Sequence, residues 1–165
     1  LGPMSTSANE APAQLAKAIA DKQKGSSSLR VYSSEDDALE ARKKSSPGMS
    51  DKALYPIVSR NLKAVAGGFS WRTDKRLRHA SKVRLTEEQV QAFFAAIKAP
   101  VLVVLAEKGL IPNTWIDQRL PRLKSHQMVT LAGHHHFHCE ADTVVEIAKT
   151  IHQFCNHQSC NEVVS

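Results

Sequence analysis

Apolar positions in the first hundred residues recur at helical spacing, and only afterwards do they run together as a strand would. Leu15 and Ile19 mark one side of a weak helix predicted over Ala11 to Lys24, which the turn-rich Gly25-Ser26-Ser27-Ser28 ends. Ser34-Glu35-Asp36-Asp37 reads as a capping box, and Ala38 to Lys44 propagates from it until Pro47-Gly48 breaks the helix. Ser50 caps a third helix, where Leu54, Val58, Leu62 and Val65 fall on one face and Gly67-Gly68 supplies the stop. Phe69 to Leu85 is irregular and basic. Thr86-Glu87-Glu88-Gln89 is a second capping box, opening a helix whose Val90, Phe93, Phe94 and Ile97 are expected to face a core.

The period changes after Ala99-Pro100. Val101-Leu102-Val103-Val104-Leu105 is apolar throughout, as expected of a parallel strand covered on both faces. An amphipathic helix over Thr114 to Leu123 leads to a second strand, Gln127 to Leu131. The final helix, Asp142 to Phe154, is expected to bury Val144, Ile147, Ala148, Ile151 and Phe154, with Asn156 to Ser165 fraying. The fold class is therefore α/β, with helices first and then strand-helix-strand-helix. Two parallel strands joined by a crossover are a legitimate unit, but they make an incomplete sheet. A strand as apolar as Val101 to Leu105 calls for hydrogen-bonding neighbours on both sides, and only one is encoded.

Composition narrows the function classes. At 165 residues the chain has enough length for one core. Its net charge of +6 is set by 22 Lys+Arg against 16 Asp+Glu, but the basic clusters are interrupted by acids and lack interleaved aromatics. No nucleic-acid motif fits them, so a solvated surface and no nucleic-acid partner are expected. No apolar run approaches the ~20 residues that span a bilayer, and no membrane partner is expected. The N-terminus lacks the basic-then-apolar pattern of a secretory signal, which points to a cytoplasmic protein. Cys139, Cys155 and Cys160 are too few for a disulfide framework and suit a reducing compartment.

The chemistry is concentrated in Gly133-His134-His135-His136-Phe137-His138-Cys139-Glu140. A histidine on a glycine-led loop after a strand has its ring exposed at the sheet edge and suits general-base work. No G-x-S-x-G nucleophile elbow occurs anywhere in the sequence, so no obvious nucleophile accompanies it.

These pieces together resemble the C-terminal part of an α/β-hydrolase, closest to the serine hydrolase-like and mesoderm-specific-transcript-like group. Leu1-Gly2-Pro3 is similar to the exit from the strand before the lid, and Glu10-Ala11-Pro12-Ala13-Gln14-Leu15 to the first lid helix. Gly67-Gly68-Phe69-Ser70-Trp71 with Asp74-Lys75-Arg76-Leu77-Arg78 resembles a lid segment of that group, continued by Arg84 to Val90. Ile97 to Val104 resembles the strand returning to the core. The resemblance implies a helical lid over 1–98, the last two parallel strands and helices of the hydrolase core over 99–156, and a tail over 157–165. It implies His135 as the general base, because His138 and Glu140 follow at the family's spacing, with His134 standing where a second glycine is usual. The triad acid is either Glu107, in the turn Ala106-Glu107-Lys108-Gly109 where glycine holds the usual aspartate place, or a residue before Leu1, the option this subgroup favours. The resemblance further implies an ester-like, small apolar substrate, no cofactor, and a chain that is silent alone because serine and oxyanion hole lie outside it.

Blander readings stand beside these. His134, His135, His136 and His138 with Cys139 or Glu140 form a possible metal loop, although adjacent loop histidines rarely converge on one ion and no metal is expected. Cys155 and Cys160 beside His152 and His157 read as incidental thiols before a second metal site or a disulfide. Trp71 is a candidate substrate contact, but anchoring the lid is its commoner role; Phe93, Phe94 and Trp115 read as packing residues. Glu140 reads as a cap or support for the histidine loop. A non-catalytic module that pairs through its open strand edge, with itself or with an N-terminal half, is the alternative function.

Overall fold

The computed structural model describes residues 1–24 and 29–162, leaving aside the side chains of 78 and 158–162. Its helices are α1 (Ala11–Gln23), α2 (Glu35–Lys43), α3 (Asp51–Asn61), α4 (Glu87–Ala96), α5 (Asn113–Arg119) and α6 (Ala141–Glu162). Its strands are β1 (Val31–Tyr32), β2 (Leu62–Val65), β3 (Gly68–Trp71), β4 (Val101–Lys108) and β5 (His126–His134). Two compact units result: Gly2–Ser45 with Tyr55–Phe93, and Leu1 with Ser46–Leu54 and Phe94–Ser165. No helix among the described residues is long and apolar enough to cross a membrane.

The first unit carries an antiparallel sheet in the order β1-β3-β2. It corrects two expectations: the third helix stops at Asn61, and Leu62 to Val65 is a strand paired with Gly68 to Trp71. The Asn61 carbonyl accepts from the Arg72 amide at 2.8 Å and Arg72 Nε donates to the Leu62 carbonyl at 2.7 Å, so cross-strand bonds replace the helical ladder. Ala66-Gly67 is a hairpin turn and Gly68 opens β3, so the glycine pair does not stop a helix; the positive φ of Gly67 suits either use. At Gly68 (φ +135°) an added Cβ would lie 2.0 Å from the Tyr32 carbonyl oxygen, so only glycine lets β1 approach β3. The core of this unit holds Ala18, Tyr32, Ala38, Leu39, Val58, Leu62 and Val90.

Caps behave as their sequences predict. Ser34 Oγ accepts from the Asp37 amide at 3.1 Å, while Thr86 and Gln89 exchange both bonds of a capping box, at 2.9 and 3.4 Å. Phe93 is a correction: it is 65% exposed, while Val90 is buried.

The second unit is built on the parallel pair β4–β5, in register from Val101↔His126 to Ala106↔Leu131. Val103, Leu120 and Leu123 form its core, with Phe94, Val101, Leu105 and Ile116 packed around them. Arg119 is fully buried there, its guanidinium 4.3 Å from the Trp115 ring centroid and bonded to the Leu1 carbonyl. Among the described residues β4 has one strand neighbour, as its sequence implied. Of the apolar stripe on α6, Ile147 is buried and Phe154 partly so, whereas Val144 and Ile151 are 41% and 47% exposed. A two-stranded sheet is too narrow to cover a helix of 22 residues, which corrects the expectation that the whole stripe is buried.

Candidate active site

Register along β4 and β5 breaks at their carboxyl ends. Ala106 pairs with Leu131 and Lys108 with His134, so Ala132 and Gly133 stand opposite the single residue Glu107. Such a bulge bends one strand and re-aims the chain that leaves it. Gly133 has φ +128°, and an added Cβ would stand 2.7 Å from Phe137 Cβ. Beyond it the chain turns through His134, His135 and His136 into a 3-10 turn, Phe137–Cys139, and then α6. Phe137 is buried and anchors the turn. The Thr143 hydroxyl donates to the Phe137 carbonyl, and the Glu140 amide donates to the same carbonyl at 3.1 Å.

Two of the three residues singled out from sequence line one cavity. His135 and Glu107 border a space of about 420 Å³ whose apolar wall includes Val104, Leu105, Ile116 and Phe137. Asn113, Thr130 and His138 add polar groups to its lining. The cavity lies off the carboxyl ends of parallel strands, the general location of sites in open α/β sheets. His135 is exposed; its ring lies 4.9 Å from that of His136, and it makes no hydrogen bond to a described residue. Glu107 is exposed as well. At Gly109 an added Cβ would meet the Ala106 carbonyl oxygen at 2.9 Å, so the turn as built excludes an aspartate at that place.

Trp71 belongs to the other unit. Its indole Nε1 donates to the Tyr32 hydroxyl at 3.2 Å and the two rings meet edge to face at 5.9 Å. It borders a separate cavity of about 460 Å³ with Arg42, Asn61 and Thr73.

His134 and Glu140 carry contacts that sequence reading only partly found. The His134 ring is largely buried, and its Nδ1 accepts from the His136 amide at 3.1 Å. Its Nε2 lies 3.4 Å from Glu140 Oε1, an ion-pair distance without hydrogen-bond geometry. Glu140 Oε1 accepts the Ser50 amide at 2.9 Å. Ser50 Oγ in turn accepts the Ala53 amide at 3.1 Å, so Ser50 is the expected cap of α3. In a capping box the acid three residues on would take the Ser50 amide, but that place is Ala53; Glu140 supplies the carboxylate from 90 positions away. Bonds from the Ser50 side chain and amide, with His134 nearby, hold the Glu140 carboxyl below its ordinary value of 4.5. The missing acid beside a good cap was the sequence signal. Among the described residues no group of three or more potential ligands could hold a metal ion.

No family model matches the chain. The serine hydrolase-like protein of Danio rerio is 27% identical over 149 residues, which is 82% of this chain and 43% of that protein. The structure of hypothetical protein PA1622 from Pseudomonas aeruginosa PAO1 is similar with a TM-score of 0.85 at 30% identity, over 94% of this chain and 56% of that one. The thioesterase domain from the curacin biosynthetic pathway gives a TM-score of 0.73 at 17% identity, over 92% of this chain and 54% of the domain. The Mycobacterium tuberculosis esterase Rv0045c gives 0.60 at 15% identity, over 88% of this chain and 48% of the esterase. The chain thus spans about half the length of the proteins it matches.

Proposed function

We propose that this chain, which shares the α/β-hydrolase fold and is similar to part of a serine hydrolase-like protein, supplies the general base of a serine hydrolase acting on a small, ester-like, apolar substrate. His135 is that base. The observation that supports this is its presentation on the bulged, glycine-turned loop, bordering an apolar-walled cavity at the carboxyl ends of β4 and β5. In this reading a His135 ring nitrogen takes the proton of a serine hydroxyl as the hydroxyl attacks the acyl carbon. The protonated ring then gives that proton to the departing alkoxide and repeats both steps with water. The serine and oxyanion hole come from outside these 165 residues, which contain no G-x-S-x-G. Glu107, on the same cavity, is the acid candidate within the chain; a carboxylate from outside these 165 residues is the other.

The chain alone is then inactive. Removing triad members leaves rates lower by about four to six orders of magnitude. The test is turnover of short p-nitrophenyl esters by the chain alone and by the chain combined with an N-terminal half bearing the nucleophile elbow. Silence alone and turnover in combination, abolished by His135→Ala, are expected; turnover by the isolated chain refutes the proposal.

A second reading is favoured by one observation: β4 has no described strand partner on the edge away from β5. As an interaction module the chain would pair there, with a second copy or with an N-terminal half. Light scattering decides, since a monodisperse monomer at all concentrations excludes self-pairing.

A further inference from the structure

His134 differs from its neighbours in the histidine run because its Nδ1 accepts a backbone hydrogen bond while its Nε2 is buried facing a carboxylate. The His136 amide donates to Nδ1, so that nitrogen carries no proton and the neutral ring holds its hydrogen on Nε2. Nε2 is shielded from solvent and faces Glu140 at 3.4 Å. Glu140 is in turn tied to the Ser50 amide. The other face of the ring meets the Pro47-Gly48 turn, where Gly48 has φ +90° and an added Cβ would lie 3.1 Å from His134 Cγ. His135, one residue on, is exposed and has no hydrogen bond to a described residue; its ring meets only that of His136, at 4.9 Å, among the described ring contacts.

We propose that His134, held as the Nε2–H tautomer by the His136 amide and Glu140, is a positioning residue that sets the backbone from which His135 reaches the cavity. The proposal rests on the reading of His135 as general base. It also gives a physical role to the residue standing where the family's second glycine is usual: the imidazole clasps the loop to the Gly48–Ser50 segment. A misplacement of the base by about 1 Å costs on the order of a hundredfold in rate, so the clasp acts on kcat through His135.

Long-range 15N correlation spectra of the histidine rings in this chain test it directly. His134 is expected in a single tautomer with Nδ1 unprotonated at neutral pH, while the exposed rings of His135 and His138 average between tautomers. Glu140→Gln keeps an oxygen acceptor and is expected to preserve the His134 signature. Glu140→Ala is expected to average it and to speed hydrogen exchange of the His136 amide by about tenfold or more. Gly48→Ala, which crowds the ring from the other side, is expected to perturb the same signals without touching Glu140. An averaged His134 ring in the unmodified chain overturns the proposal whatever the variants do, as does a Glu140→Ala spectrum unchanged at His134 and His136. In a combined, active enzyme Glu140→Ala is expected to lower kcat by about ten- to a hundredfold with KM unchanged, with Glu140→Gln restoring it. A fixed His134 tautomer together with activity that survives His135→Ala would leave the clasp intact and refute only the functional reading. Loss of activity in His135→Ala with a freely averaging His134 would refute only the clasp.

Discussion

Replacing Gly133 by alanine tests the turn that presents the histidine loop. The backbone there has φ +128°, a region that side-chain-bearing residues rarely enter, and holding alanine in it costs on the order of 1–3 kcal/mol. The new methyl would then sit 2.7 Å from Phe137 Cβ, against an ordinary contact near ~4 Å. Phe137 Cβ is bonded to the backbone, so no rotamer change relieves the contact; the 3-10 turn itself must move. Because Phe137 is buried, that movement disturbs packing at about 1–3 kcal/mol more. The sum is about 2–6 kcal/mol, a large part of a domain's ~5–15 kcal/mol. Gly67→Ala supplies the comparison: φ is +85°, but the nearest side-chain atom, Val31 Cγ1, would be 4.0 Å from the new methyl. Only the backbone term applies there. Hydrogen exchange read by mass spectrometry, peptide by peptide, reports each substitution in its own unit. Gly133→Ala is expected to deprotect β5 and the segment 134–144 well beyond what Gly67→Ala does to β2 and β3. Equal or smaller deprotection at Gly133 would show that the bulge and the close Phe137 contact do not constrain the loop.

Other outcomes follow from the same geometry. His135→Ala removes an exposed side chain with no hydrogen bond to a described residue, so denaturant midpoints are expected to shift by less than about 0.5 kcal/mol; a loss of 2 kcal/mol or more would mean the ring is structural. Because the folded-state pKa of Glu140 is depressed, its stabilisation is present above the ordinary value of 4.5 and is lost as pH falls through the lower folded value. Glu140→Gln is accordingly expected to flatten the acid limb of urea midpoints below that value, and an unchanged limb would refute the assignment. Three bonds from the Arg76 guanidinium and one from its backbone amide hold the exposed Asp74 carboxyl at about 2, so its carboxylate 13C shift is expected to titrate after the other carboxylates; titration near ~4 would count against that pairing. Ser70→Ala strips a buried hydroxyl that donates to the Arg30 carbonyl at 3.0 Å, and a cost of about 1 kcal/mol is expected by urea unfolding.

Elements defined by local chemistry were legible in the sequence. Thr86 and Gln89 bond reciprocally because both partners sit within one helical turn, and Val101 to Leu105 forms a strand because nothing else accommodates so many adjacent branched residues. Leu62 and Val65 misled for a definite reason. Their spacing from Leu54 and Val58 matches a helix, yet on a strand they are the ends of β2, with Leu62 buried and Val65 half-buried. Periodicity over four residues does not separate these cases, and the glycine pair after them serves a helix stop or a hairpin equally well. What decides is the partner strand, and β3 is four residues, too short for its alternation to announce itself.

The histidine run shows the same limit at the site. Spacing to His138 and Glu140 singles out His135, but nothing within the run explains why His134 and His135 end in different surroundings. The difference arises across the sheet: β5 spends two residues against Glu107, which changes the course of the chain just before His134. It is then fixed by Ser50 and Gly48, roughly 90 residues earlier, whose amide and bare Cα admit the Glu140 carboxylate and the His134 ring. Local rules place Ser50 as a cap and leave its amide without an acid; only the folded chain reveals that the acid comes from the loop carrying the candidate base. The cap of α3 and the seat of the histidine loop are therefore one structure, and a substitution at either end is expected to be felt at the other.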